Sequence, residues 1–194
     1  MRTQLVTAAA ALLISAAAVS AQTTPQAARD DESVKTAAFD PSLTGTWTSS
    51  PEELKLTSDF DKSVWGENAT SVRTVELAVK PAGDATMKVT KKVVDAKGRT
   101  VPASTWVEEV QLKIGGSSPG VGPRVEHQAD VVSAVRLFPD DKDYRWEIDG
   151  LRVKVVSFRD GDGSLEVRYD TPEGRGSFWE TLRRAGASPK NAKR

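Results

Sequence analysis

The sequence predicts an all-β domain in which roughly eight antiparallel strands form an up-and-down barrel. Apolar and polar residues alternate along most of the chain between residues 41 and 184. Short turns rich in Gly, Asp and Pro separate these runs, and no run has the spacing of a β-α-β unit. Consecutive hairpins of this kind favour a closed meander. A Greek-key sandwich is the alternative that strand spacing leaves open.

The N-terminal segment has the pattern of a cleaved signal peptide. Arg2 provides a basic start, an apolar run follows, and Val19-Ser20-Ala21 forms a small-residue cleavage site before Gln22. No stop-transfer pattern follows the apolar run. We therefore expect an exported protein, periplasmic or extracellular, whose mature chain has no transmembrane segment.

The remaining chain is predicted to hold one folded domain between two polar ends. The lead after the cleavage site has few apolar residues and no period, and the C-terminal end has a similar character. We predict a signal peptide at 1–21, a disordered segment at 22–40, a β-barrel domain at 41–184 and a disordered tail at 185–194.

Composition argues against several classes of partner and cofactor. The 194 residues include 27 basic and 27 acidic side chains, and removal of the signal peptide takes away only Arg2, which leaves a net charge of −1. A nearly neutral chain without a basic block gives no reason to expect nucleic acid as a partner. The chain has no Cys and a single His, which excludes disulfides, thiolate sites and His-based metal clusters. We predict no metal and no cofactor.

The clearest local signal is the stretch YRWEIDGLRVKVVSF, in which Asp149-Gly150 separates two alternating runs. An Asp-Gly pair is typical of a two-residue type I′ turn, because both central positions need φ > 0. We therefore predict a hairpin that pairs Ile148 with Leu151. The same register predicts one buried face, made of Tyr144, Trp146, Ile148, Leu151, Val153 and Val155.

Two further segments have local signals. Ser50, Pro51 and Glu53 match the cap, first and third positions of a helix, which predicts one short helical turn near residues 50–56. The stretch Gly116–Gly120 matches the G-x-S-x-G pattern of hydrolase nucleophiles, but it lies between two predicted strands and not at a strand-to-helix turn. We interpret it as a glycine-rich loop, and the sequence predicts no catalytic residue.

The two ends of the domain carry a resemblance. LTGTW, beginning at Leu43, opens the first predicted strand, and FWETLRR ends the last. Together with the meander between them, these stretches resemble the calycin superfamily, in particular bacterial lipocalin-like domains. The resemblance implies a lipocalin-like barrel that closes where Gly45 and Trp47 meet a basic side chain of the last strand, Arg183 or Arg184. A guanidinium packs well over an indole.

Five polar or aromatic side chains are in phase with apolar neighbours on their strands. This phase predicts that they line the barrel interior: Lys91, Trp106, Glu108, His127 and Ser133. The alternative is that bulges or strand ends turn them to solvent, since charges are seldom buried unpaired. If they face the lumen, they are candidate ligand-binding residues on otherwise apolar walls.

These observations predict an exported lipocalin-like protein that binds a small, partly apolar or amphipathic molecule in the barrel lumen. One alternative is a non-catalytic structural or protein-interaction module of the cell envelope, whose barrel is filled by its own side chains. A less favoured alternative is an isomerase or cyclase in which Glu108 or His127 handles a proton. Lumen size tests the first two, and convergence of Glu108 with His127 tests the third.

Overall fold

A computed structural model describes residues 38–159, 163–172, 174 and 176–186 of the chain. The predicted signal peptide, residues 22–37 of the predicted lead and residues 187–194 of the predicted tail lie outside this part. The described elements are a 3-10 turn (Pro41–Leu43), β1 (Gly45–Ser49), β2 (Glu52–Lys55), α1 (Asp59–Trp65), β3 (Thr70–Val79), β4 (Asp84–Val94), β5 (Trp106–Pro119), β6 (Arg124–Phe138), β7 (Asp141–Glu147), β8 (Arg152–Phe158), β9 (Ser164–Asp170) and β10 (Phe178–Arg184).

Eight of the described strands close a barrel. Strand β1 pairs antiparallel with β10 on one side and with β3 on the other, and the sheet between them runs β10-β9-β8-β6-β5-β4-β3. Trp47 on β1 illustrates the closure, since it lies opposite Arg184 of β10 and Leu77 of β3. Strands β2 and β7 lie outside the ring and pair with β3 and β6 respectively. The predicted all-β, eight-stranded antiparallel barrel is confirmed.

The short helix lies later in the chain than its predicted position near residues 50–56. Glu52–Lys55 form strand β2, whose backbone pairs with the start of β3. The helix is α1, and its N-cap is Ser58, whose hydroxyl accepts a hydrogen bond of 3.0 Å from the amide of Asp61. Ser58 thus provides the capping chemistry that was assigned to Ser50, while the earlier segment gains sheet hydrogen bonds.

The predicted hairpin at Asp149-Gly150 is wrong. Strands β7 and β8 do not pair with each other; both run antiparallel to β6, which pairs with β7 near Val135 and with β8 near His127. The reversal of the chain instead occurs between Phe138 and Asp141. Gly150 still has a positive φ of 66°, but it lies in a kink between β7 and β8, which follow one another along β6.

Because of the kink, only some residues of the predicted buried face at 144–155 are buried. Leu151, Val153 and Val155 are buried in the barrel core. Tyr144 and Trp146 lie on β7, outside the ring, and are 54% and 58% exposed. Their predicted burial is therefore wrong, because β7 extends past the barrel wall, where it pairs with only the end of β6.

The prediction of a glycine-rich loop at Gly116–Gly120 is also wrong, because most of this stretch belongs to a strand. Strand β5 continues to Pro119, and Ser117 and Ser118 lie opposite His127 and Glu126 of β6. The connection is a tight turn closed by a 2.9 Å hydrogen bond from the amide of Gly120 to the carbonyl of Arg124. No strand-to-helix turn accompanies the described G-x-S-x-G stretch, so it lacks the geometry of a nucleophile elbow.

The centre of the barrel is filled by its own side chains. Seven of them have 0% of their surface exposed: Leu77, Met87, Val89, Val110, Val155, Val167 and Leu182. A side chain beside a water-sized void would retain accessible surface. These residues, contributed by six strands around the ring, therefore leave no ligand-sized space between them.

Candidate functional site

Three neighbouring strands place large polar side chains in a row at one end of the barrel. In the register of β3, β4 and β5, Arg73 lies opposite Lys91, and Lys91 lies opposite Trp106. All three are half-buried, whereas Val75 and Val89, two positions further into the barrel, are buried. We call this end of the barrel the mouth, and these three residues the mouth row.

A buried ion pair lies beside the mouth row. Glu108 is two residues beyond Trp106 on β5 and is 1% exposed. Its Oε1 accepts hydrogen bonds from Nε and Nη2 of Arg136, at 3.0 Å and 2.6 Å, across the β5–β6 pairing. This arrangement compensates the charge of a carboxylate that is otherwise removed from water.

Tyr169 on β9 reaches the same region from the opposite wall. It is buried, and its ring stacks on that of Phe178 with 4.8 Å between centroids. Burial, and to a lesser degree the carboxylate of Glu108, raise the pKa of Tyr169. Its phenol therefore stays protonated at neutral pH and can donate a hydrogen bond.

Arg73 is held by acidic and aromatic neighbours. It forms ion pairs with Glu52 and, at 3.4 Å, with Glu180. Its guanidinium carbon lies 3.9 Å from the centroid of the Phe178 ring. Burial raises the pKa of Glu180, although Arg73 acts in the opposite direction. The cation of Arg73 is thus compensated within the protein.

Lys91 differs from the two arginines. None of the described residues forms an ion pair or a hydrogen bond with its ammonium. Burial lowers the pKa of Lys91, and the nearby Glu108 carboxylate opposes that effect. The mouth row therefore contains one cation that lacks a counterion among the described side chains.

Several buried polar atoms at the mouth have no hydrogen-bond partner in the described part of the chain. They are Nε of Arg73, Nε1 of Trp106, Oε2 of Glu108 and the hydroxyl of Tyr169. The last two are close enough for Glu108 to act on the pKa of Tyr169. Buried groups of this kind are nearly always satisfied by protein, water or ligand, so these atoms are available to a further partner.

The other end of the barrel is capped by the N-terminal part of the domain. The indole Nε1 of Trp47 donates a 2.8 Å hydrogen bond to the carbonyl of Leu43, and both residues are buried. Arg184 donates hydrogen bonds to the carbonyls of Thr44 and Ser42. Its guanidinium carbon lies 4.6 Å from the Trp47 ring centroid, so Arg184 is the arginine that contacts this indole.

Gly45 permits this close approach. Its φ is +132°, and a Cβ at this position would lie 2.8 Å from Nη1 of Arg184. The neighbouring Arg183 occupies the next position on β10, opposite Thr48, and its side chain is exposed. Of the four residues predicted to close the barrel, Gly45, Trp47 and Arg184 therefore meet at the capped end, whereas Arg183 does not contact this indole.

His127 lies near the capped end and away from the other predicted lumen residues. It is 3% exposed, and a 2.8 Å hydrogen bond joins its Nε2 to the hydroxyl of Ser157. Burial lowers the pKa of His127, while the Asp40 carboxylate opposes this. A depression of about 420 Å³ at this end is lined by Asp40, Ser157 and Arg184, among others.

Glu108 and His127 do not converge on one point. Along β5, Glu108 is opposite Arg136, and Ser117 is opposite His127. Ser117 is nine positions beyond Glu108, which corresponds to on the order of 30 Å of strand. The two groups proposed for proton handling are thus at different ends of the barrel.

Ser133 faces solvent, and its predicted interior position is wrong. A bulge shifts the register, so that Gln111 pairs with Ser133 and Leu112 pairs with Val131. The extra residue, Val132, reverses the inward phase of β6 from that point onward. Ser133 consequently lines a depression of about 550 Å³ on the outer wall beside the β7–β8 kink.

The sequence pattern missed three residues of the mouth. Arg136 faces Glu108 because of the same bulge, and no alternation in the sequence reveals it. Tyr169 alternates in phase with Leu165 and Val167, a pattern that predicts only an apolar face, although its hydroxyl ends near Glu108. Arg73 is in phase with Val75 and Leu77, and this phase was the signal that could have found it.

Comparisons with known proteins add little to this geometry. No family model matches the chain, and no curated protein matches it. A solved structure that it resembles is described as a de novo design of a fluorescence-activating β-barrel. The two are 15% identical with a TM-score of 0.28, over 73% of this chain and 93% of that one. At this TM-score the likeness supports no argument about function.

The described residues contain neither a metal-binding cluster nor a membrane-spanning helix. No group of three or more His, Asp or Glu side chains there is arranged to hold a metal ion. None of the helices in the same residues has the length and apolar character needed to cross a membrane.

Proposed function

We propose that the protein is an exported, lipocalin-like binding protein that holds a small, partly apolar molecule at the mouth of its barrel. The observation that carries this proposal is the pair of buried N–H donors without a described partner, Nε of Arg73 and Nε1 of Trp106. A bound molecule would supply the missing hydrogen bonds, and the rings of Trp106 and Phe178 would supply apolar contact.

The filled centre of the barrel supports binding at the mouth rather than deep in the lumen. Val89 and Val110 have no exposed surface, and they lie next along their strands from Lys91 and Glu108 on the inward face. A ligand that entered the centre would have to displace well-packed side chains. Extra volume in a packed core costs about 1–3 kcal/mol at each position that it disturbs, so several kcal/mol would be lost in all. The predicted ligand therefore sits above this layer.

A second candidate is a protein-interaction module, and two observations favour it. The barrel is filled, and β7 presents Tyr144 and Trp146 to solvent beyond the ring. Exposed aromatic side chains are enriched where proteins bind one another. The enzyme alternative has no such support, because Glu108 and His127 lie at different ends.

Titration with the neutral dye N-phenyl-1-naphthylamine distinguishes these candidates. We expect its fluorescence to rise on binding, and Trp106→Ala to weaken binding about tenfold through loss of an aromatic wall. Trp179→Ala removes an exposed indole of β10 and serves as the matched control. If Trp106→Ala has no effect while Trp146→Ala abolishes the fluorescence change, the dye binds at the exposed aromatic residues of β7. That result favours the interaction module.

Export is tested separately by the mass of the mature chain. The proposal rests on the basic start, apolar run and cleavage site of residues 1–21. We expect protein recovered from outside the cytoplasm of its host to begin at Gln22. Recovery of an uncleaved chain in the cytoplasmic fraction alone would contradict export.

A further inference from the structure

We propose that the mouth row binds the carboxylate group of its ligand, so that the ligand is a small organic monoacid. This inference rests on the proposed binding at the mouth and adds the chemical class. It depends on three features of Arg73, Lys91 and Trp106: their unpaired donors, the Lys91 cation that has no described ion pair, and their apolar surroundings.

The unpaired groups of the row are all donors. Nε of Arg73 and Nε1 of Trp106 are buried without partners, and the Lys91 ammonium has none among the described residues. Because the three residues are directly cross-strand from one another, their Cβ atoms are about 5 Å apart from strand to strand. A single group with two or more acceptor oxygens can therefore reach donors from adjacent strands.

The unpaired acceptors are placed differently. Oε2 of Glu108 and the Tyr169 hydroxyl act on each other, and a protonated phenol can donate to a carboxylate. A small adjustment of either side chain would satisfy both without a ligand. The donors of the mouth row therefore remain without partners, and a ligand has to supply hydrogen-bond acceptors to satisfy them.

The charges at the mouth match one added carboxylate better than a phosphate. The described charged groups there are balanced, with three cations (Arg73, Lys91 and Arg136) and three carboxylates (Glu52, Glu108 and Glu180). Lys91 is the cation that makes no ion pair with a described residue, so a carboxylate beside it would have one adjacent positive charge. A phosphate, close to a dianion at neutral pH, would bring a second negative charge to groups that are already balanced.

The surroundings of Lys91 offer apolar surface for the rest of the ligand. Gly176 lies beside the Lys91 ammonium, and a Cβ at this glycine would be 3.8 Å from it, so no side chain of residue 176 competes for this position. The ring of Phe178 lies under Arg73, and Trp106 is the cross-strand neighbour of Lys91. A short aliphatic or aromatic acid would contact these rings above the filled centre.

The test uses benzoate and its neutral counterpart benzyl alcohol as probes of the full protein. Binding is followed by the indole N–H resonance of Trp106 in ¹⁵N NMR spectra, which Trp106→Phe assigns by its disappearance. We expect benzoate to shift this resonance, and Lys91→Met to weaken benzoate binding about tenfold or more, the size of a lost charged hydrogen bond. Lys91→Arg keeps the charge and should retain most of the affinity.

Lys88→Met is the matched control. Lys88 is on the same strand but faces outward, where it pairs with Glu109 at 3.1 Å. The variant should leave benzoate binding unchanged. Lys91→Met itself removes a partly buried charge without adding volume, and a retained native NMR spectrum verifies its fold.

The outcomes separate the ligand class from the binding site. If benzyl alcohol shifts the Trp106 resonance as strongly as benzoate and Lys91→Met has no effect, the carboxylate assignment is wrong, but binding at the mouth stands. If neither probe nor the neutral dye affects Trp106, both proposals fall. Selective benzoate binding that is lost in Lys91→Met and kept in Lys88→Met supports both.

Discussion

The guanidinium of Arg184 lies over the indole of Trp47, with 4.6 Å between its central carbon and the ring centroid. The same guanidinium donates hydrogen bonds of 2.8 Å and 2.7 Å to the carbonyls of Thr44 and Ser42. These contacts join the last strand of the barrel to the turn that precedes the first. They lie 140 or more residues apart in sequence, so they form only when the ring closes.

Arg184→Met is expected to lower the free energy of unfolding by about 2 kcal/mol, from one exposed cation–π contact and two charge-assisted hydrogen bonds. Arg184→Lys should recover only part of this loss, because an ammonium lacks the planar fork that spans two carbonyls. Urea unfolding followed by circular dichroism measures both. Arg152→Met, at an exposed position of β8, is the comparison, and an equal loss there would contradict a specific role for Arg184.

Removal of one partner of the Glu108–Arg136 pair is expected to be costly. Glu108 is 1% exposed, and Glu108→Gln would leave the Arg136 guanidinium uncompensated. We expect a loss of about 3 kcal/mol. The double variant Glu108→Gln/Arg136→Met should be less destabilised than the sum of the two single changes. A double-mutant cycle in urea measures this coupling.

The outward pair Lys88–Glu109 provides the control for this cycle. It joins β4 to β5 near Glu108, but Lys88 is 48% exposed. We expect its coupling energy to be below about 1 kcal/mol, as for other surface pairs. Equal coupling energies for the inner and outer pairs would show that burial does not set the strength of the Glu108–Arg136 pair.

Alternation along the chain is sufficient to predict a strand where the register is unbroken. The alternating stretch SLEVRYD matches β9 residue for residue. Leu165, Val167 and Tyr169 are buried because a two-residue period on a closed sheet leaves one face for the core.

Local pattern failed where pairing with a distant strand decides the outcome. The bulge at Val132 puts Arg136 inside and Ser133 outside, and it exists only in the register with β5. Asp149-Gly150 has the composition of a hairpin turn, but the chain has already reversed at Pro139-Asp140, and β8 must follow β6 to close the ring. The mouth was therefore predicted in part, through Lys91, Trp106 and Glu108, without its arginines.

Gly150 offers a test of the kink. Its φ is +66°, and an added Cβ would lie 2.8 Å from Cγ of Pro172. Gly122 has a nearly identical φ of +67° but open space around it. We expect Gly122→Ala to cost about 1 kcal/mol for the left-handed backbone alone, and Gly150→Ala to cost about 1–3 kcal/mol more through the clash. Equal losses for the two variants in thermal or urea unfolding would indicate that Pro172 can move away from the added Cβ without cost.

The buried His127 is expected to make stability depend on pH. Burial lowers the pKa of His127 below its ordinary value near 6.5, so the unfolded chain binds a proton more readily than the folded one as the pH falls through this range. Protonation then favours unfolding, and the free energy of unfolding should decrease from pH 7.5 to pH 5.5. Because the chain has a single His, no other side chain has an ordinary pKa in this window.

His127→Gln removes the titration while it keeps a polar group near the hydroxyl of Ser157, which His127 contacts at 2.8 Å. The variant will lose some stability at pH 7.5, since a buried side chain is replaced. Its unfolding free energy should nevertheless change less between pH 7.5 and pH 5.5 than that of the natural chain. Urea unfolding at both pH values gives the comparison, and an unchanged pH dependence in His127→Gln would show that protonation of His127 does not couple to unfolding. The nearby Asp40 carboxylate opposes the burial effect, so Asp40→Asn should steepen the decrease in the natural background.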